Sequence, residues 1–109
     1  MLAARTDARR PEADPGLRAA PVALSEIHPV YPLGARRRGE EGVVALTAWV
    51  DEHGTTVKTE VSASSGFATL DEAAVRAVSR ARFQPAGSDV RPLAGRTDLR
   101  IRFRLDDPK

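Results

Sequence analysis

The sequence predicts an α+β fold: a three-stranded antiparallel sheet in the order 2-1-3, with two helices packed on one face. Three observations carry this expectation. A valine-rich run over 43–50 is followed by a glycine turn and a second alternating run, an apolar stripe recurs at helical spacing over 70–81, and the chain closes on a strictly alternating stretch over 97–105. A right-handed crossover from the second strand through the helix lays the third strand parallel to the second. The first strand then lies between them, antiparallel to both, and the third strand is an open edge.

Each element has its own signal. Pro32 suits the start of a short helix because its missing N–H would be unpaired there, and 33–38 gives about two turns before Gly39 ends them. In the first strand Val44, Leu46, Ala48 and Val50 share one face, and Val43, Ala45, Thr47 and Trp49 the other. Both faces are apolar, as expected of a central strand. Asp51-Glu52-His53-Gly54 forms the turn, and Val57, Thr59, Val61 and Ala63 return as the second strand. Thr69-Leu70-Asp71-Glu72 reads as a capping box, with Thr69 as the N-cap of a helix whose stripe is Leu70, Ala74, Ala77, Val78 and Ala81. Pro85 forbids its continuation. Thr97, Leu99, Ile101, Phe103 and Leu105 alternate with Asp98, Arg100, Arg102 and Arg104 in the third strand.

Residues 1–27 are expected to be a flexible linker and 28–109 the folded domain, because the first stretch mixes Ala, Arg, Pro and acidic groups without periodicity. About eighty residues bury a thin core, so net stability is small. The first 27 residues carry four basic and four acidic groups, which leaves the net charge of +2 to the remainder. Arg36-Arg37-Arg38 and the series Arg91, Arg96, Arg100, Arg102 and Arg104 stand out, but Glu40, Glu41, Asp89 and Asp98 lie beside them. Solvated faces are therefore favoured over a nucleic-acid stripe. The absence of cysteine excludes disulfides and thiolate metal sites. No apolar run of eighteen residues and no signal-peptide core is present.

Catalytic chemistry finds no foothold. Ser64-Ser65-Gly66 lacks the glycine pattern of a nucleophile elbow and reads as a turn before a helix. His28 and His53 are isolated, so neither a metal site nor a cofactor site is expected. Asp71-Glu72 serves a helix start, Asp106-Asp107 a polar tail, and no glycine-rich phosphate loop occurs. Trp49 on a strand reads as sheet-face packing or a dimer contact. A non-enzymatic binding module is expected.

The ordered set His28-Pro29-Val30-Tyr31-Pro32, Gly39-Glu40-Glu41-Gly42, Asp51-Glu52-His53-Gly54, Ser64-Ser65-Gly66, Leu70-Asp71-Glu72-Ala73-Ala74 and Arg82-Phe83-Gln84-Pro85-Ala86 resembles the carboxy-terminal domain of TonB-family energy transducers, over about four-fifths of the chain. The resemblance implies a periplasmic module that binds the TonB box of outer-membrane transporters by strand addition and couples inner-membrane proton-motive force to nutrient uptake such as that of siderophores. It further implies an Exb-type proton-channel partner reached through an inner-membrane anchor that this chain lacks, and it admits a homodimer. Partner-binding residues are then expected at His28, Pro29, Val30, Tyr31 and Pro32, and at Leu99, Arg100, Ile101, Arg102, Phe103, Arg104 and Leu105. Two departures from the family pattern stand out. His28 and Val30 replace the glutamines of the enteric Gln-Pro-Gln-Tyr-Pro, and Ala81 occupies a position where many members have Trp, leaving Trp49 to fill that bulk. A TolA-like or orphan TonB-like envelope scaffold is the alternative, with a small basic nucleic-acid binder third.

Overall fold

The sheet is built around its most apolar strand. A computed structural model describes residues 17–105, so that 1–16 and the acidic tail at 106–109 lie outside the described residues. The elements are β1 Val22–Ala23, α1 Leu33–Arg38, β2 Gly42–Val50, β3 Thr56–Ala63, α2 Ala68–Arg80, β4 Phe83–Gln84, β5 Ala86–Gly87, β6 Pro92–Leu93 and β7 Gly95–Phe103. The main sheet runs β3-β2-β7, all antiparallel, as the 2-1-3 order requires. One face of β2 (Val44, Leu46, Ala48, Val50) is buried against Leu70, Ala73, Ala74 and Val78 of α2, with Ala35 of α1, Phe83, Ile101 and Phe103 completing the core. Both helices therefore cover a single face, and the other is open.

Local chemistry explains the boundaries. Pro32 occupies the N-cap of α1, and Gly39 ends the helix in the left-handed region (φ 73°), its N–H returning to Ala35 and Arg36 carbonyls. The 51–54 turn is fixed by Asp51, whose Oδ1 accepts from the N–H groups of His53 (2.9 Å) and Thr55 (3.0 Å). Helix α2 stops at Arg80 because Ala81 is extended; the Val78 carbonyl accepts from Ala81 N–H at 3.1 Å, and Thr56 Oγ1 donates to the carbonyls of Val78 (3.2 Å) and Ala81 (3.4 Å).

Four features differ from expectation. The capping box is not formed: α2 begins at Ala68, Phe67 sits at the cap, and the Thr69 hydroxyl donates to Glu40 Oε1 at 2.6 Å. Asp71 fastens the helix start instead, accepting from Ser65 N–H (3.0 Å), Ser65 Oγ (2.8 Å) and Ser64 Oγ. The turn residues before the helix supply these donors, so the helix starts earlier than the Thr-x-x-Glu pattern implies. Trp49 does not replace the bulk missing at Ala81, because it projects from the open face of β2, where the Lys58 ammonium lies 4.8 Å from its ring centroid. Pairing also begins ahead of His28: Val22–Ala23 forms a two-residue ladder with Phe83–Gln84, and Arg18 bridges to Gly87. Finally, β5 and β6 make a small hairpin between Pro85 and the third strand, where the sequence offered no element.

Burial pushes the Asp71 carboxyl upward, but the hydrogen bonds from Ser64 and Ser65 outweigh it and hold the group below its ordinary value of 3.8. Asp71→Asn should therefore cost about 1 kcal/mol at neutral pH. A depressed pKa stabilises the fold above the unfolded value and loses that contribution as pH falls through the folded one. Urea titrations of the two proteins should accordingly converge as pH falls below 3.8. A gap independent of pH would remove the carboxylate from the account.

Candidate functional site

The backbone of β7 has one satisfied side and one open side, and alternation identifies which residues face each. Asp51 N–H donates to Thr55 O across the hairpin at 2.9 Å, so at the end of β2 the odd-numbered backbone groups face β3. Even-numbered residues of β2 therefore face β7, and the unbroken register from Gly42↔Phe103 to Val50↔Gly95 sets them opposite odd-numbered partners. Gly95, Thr97, Leu99, Ile101 and Phe103 thus direct their N–H and C=O groups to β2. The N–H of Leu105 continues this parity, donating to Glu41 Oε2 at 3.0 Å. Arg96, Asp98, Arg100 and Arg102 turn their backbone groups outward, to an edge that no other strand of the main sheet occupies.

A groove of about 640 Å³ runs beside this edge, lined by Leu99, Arg100 and Ile101 on one wall and by Ala23, Ser25, Glu26, Ile27 and His28 on the other. The second wall is held by Leu24 N–H, which donates to Arg82 O at 3.0 Å, and by the β1–β4 pair. Two further contacts join the same segment to β7 outside the groove lining. Pro21 packs beside Gly95, and the Tyr31 ring meets Phe103 edge-on at 5.3 Å between centroids. Tyr31 is fixed by its hydroxyl, which donates to Glu40 O, and by the Arg36 guanidinium 5.2 Å from its ring centroid. Burial, then the nearby Glu41 carboxylate, raises its phenol pKa.

The expected site residues divide accordingly. His28 joins Leu99, Arg100 and Ile101 at the groove, and Tyr31 supports Phe103. Val30, 77% exposed, lines a depression on α2 with Ala73, Arg76, Ala77, Arg80 and His28 itself, while Pro32 caps α1 and Pro29 is only half-buried. Arg104 and Leu105 lie past the end of β7. Ser25, Glu26 and Ile27 were not expected at the site. The one signal for them is Ile27, a large apolar residue, which packs on the core.

Residues 27–105 match the family model described as Gram-negative bacterial TonB protein C-terminal. The chain belongs to that family. It is 38% identical over 82 residues to protein TonB of Vibrio cholerae, covering 75% of this chain and 34% of that protein. It is 41% identical over 78 residues to protein tonB2 of Pseudomonas aeruginosa, covering 72% and 29% respectively. The chain thus spans about a third of the length of the curated relatives it matches. The fold of this TonB domain is similar to the solution structure of the Pseudomonas aeruginosa TonB C-terminal domain, with a TM-score of 0.65 and 24% identity over 89% of this chain and 94% of that one. The TonB2 protein of Vibrio anguillarum is also similar in fold, at a TM-score of 0.53 and 22% identity over 91% and 96%. No helix among the described residues is long and apolar enough to cross a membrane.

Proposed function

We propose that this TonB domain is a non-enzymatic, periplasmic module that receives the TonB box of an outer-membrane transporter as a fourth strand on the β7 edge. It transmits to that strand a pull derived from the inner-membrane proton-motive force, through an upstream anchor and an Exb-type proton-channel complex. His28, Pro29, Val30, Tyr31 and Pro32 and the stretch from Leu99 to Leu105 are the binding residues in this reading. The observation that carries it is the outward-facing backbone of Arg96, Asp98, Arg100 and Arg102 beside an open groove. Unpaired strand edges take extended peptides through main-chain hydrogen bonds. Family membership supports the identity of the visitor.

Amide hydrogen exchange tests the geometry residue by residue. In the free chain the amides of Arg100 and Arg102 should exchange fast, and those of Leu99, Ile101 and Phe103 slowly. A TonB-box peptide at a hundred times its Kd should slow the two arginine amides by up to about 100-fold, the limit set by mass action. The odd-numbered amides should gain no more than the domain as a whole. Protection of the odd set alone, or none along β7, places the peptide elsewhere.

A further inference from the structure

The edge has a charge pattern as well as a hydrogen-bonding one. Arg96, Asp98, Arg100 and Arg102 project on the open face of the sheet, and across the strand they meet Trp49, Thr47, Ala45 and Val43. Asp98 accepts from Thr47 Oγ1 at 2.9 Å. Among the described residues no carboxylate pairs with Arg100 or Arg102, whose cross-strand neighbours are apolar. Glu41 shares a depression with Arg102 and Arg104 and has its Oε2 on the Leu105 amide. Glu26, on the far wall of the groove, points to solvent with a side chain 87% exposed and lies 3.5 Å from His28. The other parity of the edge is apolar, since Leu99 and Ile101 face the helix side together with Ile27.

A strand laid on this edge inherits that division. Its side chains alternate between the open face and the helix side, and residues two apart stand about 6.7 Å apart, the same interval that separates Arg100 from Arg102. Resting on the strand-addition reading above, we infer that β7 selects an extended peptide with two acidic side chains at alternate positions on the open face, aliphatic residues between them, and no acid opposite Asp98. Two acids at adjacent positions do not satisfy the edge, because one of them is turned toward Leu99 and Ile101.

Three peptides of one length test this by calorimetry at low ionic strength: acetyl-Thr-Glu-Val-Glu-Val-Thr-Val-amide, its isomer acetyl-Thr-Glu-Glu-Val-Val-Thr-Val-amide, and the neutral acetyl-Thr-Gln-Val-Gln-Val-Thr-Val-amide. Each exposed ion pair is expected to tighten binding about fivefold, so the alternating acidic peptide should exceed the neutral one by roughly 25-fold, with the isomer well behind. Raising the salt to about 0.5 M should erase most of the difference. In Arg100→Glu/Arg102→Glu, whose side chains are exposed in the parent and whose melting should be unchanged, the preference should reverse toward acetyl-Thr-Lys-Val-Lys-Val-Thr-Val-amide. Arg100→Gln/Arg102→Gln should abolish the preference without creating the opposite one. Equal binding of all three peptides to the parent chain overturns the charge rule and leaves strand addition standing. Binding of none overturns both.

Discussion

Gly54→Ala is expected to destabilise the domain by at least about 3 kcal/mol, a large share of its total stability. Gly54 sits in the hairpin turn at φ +83°, and a methyl group there would lie 2.1 Å from the Phe83 carbonyl oxygen. Left-handed backbone alone costs an alanine about 1–2 kcal/mol. The clash adds to this because the turn has nowhere to retreat. Gly54 O accepts from Phe83 N–H at 3.0 Å, Thr55 bridges to Arg82, and Phe83 is a core residue only 2% exposed. Moving the turn away therefore drags Phe83 from its packing. Gly39→Ala separates the two causes, since Gly39 has φ +73° but a methyl group there would meet nothing within 4 Å. It should lose only about 1 kcal/mol. Equal losses in the two variants, measured by urea unfolding, would show that close approach at Gly54 contributes nothing.

Leu46→Ala should remove about 3 kcal/mol, within the range of buried leucine truncations. Leu46 is fully buried at the centre of the middle strand, paired with Val61 on one side and Leu99 on the other. A domain of this size holds roughly 4–13 kcal/mol, and each kcal/mol moves the melting midpoint by about 4–8 °C. The midpoint should thus fall by roughly 12–24 °C in a calorimetric scan. Val43→Ala, on the open face and 39% exposed, should stay within about 0.5 kcal/mol of the parent. A comparable loss at Val43 would mean that the open face is covered in solution.

The two long strands were legible because each repeats its burial pattern often enough to fix both face and register. From Val44 to Val50 and from Leu99 to Phe103 every second residue turns toward the helices. The apolar stripe of α2 was legible for the same reason. The two-residue ladders β1, β4, β5 and β6 were not, because no period fits into two residues and their partners lie about sixty residues away or across a loop. Trp49 misled through hydrophobicity: two helices can cover only one face, so an indole on the other stays partly wet whatever its transfer energy. Thr69 misled through a pattern whose job Asp71, in the first turn of the helix, performs with the preceding Ser64 and Ser65. The open edge of β7 followed from strand order alone. Its far wall did not, since Ser25, Glu26 and Ile27 are placed by the pairing of Val22–Ala23 rather than by any periodicity of their own.

The position of Trp49 also decides what light can report. It is the only tryptophan in the chain, and it stands outside the helix-covered core with a lysine ammonium over its ring. Half-exposed and beside a cation, it should change its surroundings little when the core melts, so an unfolding curve followed by tryptophan fluorescence is expected to have a small amplitude. Tyr31, held edge-on against the buried Phe103, is expected to report core melting in the near-ultraviolet instead. Trp49 faces Arg96 across β2 and β7, so the same indole is an intrinsic optical reporter for whatever settles on the open face.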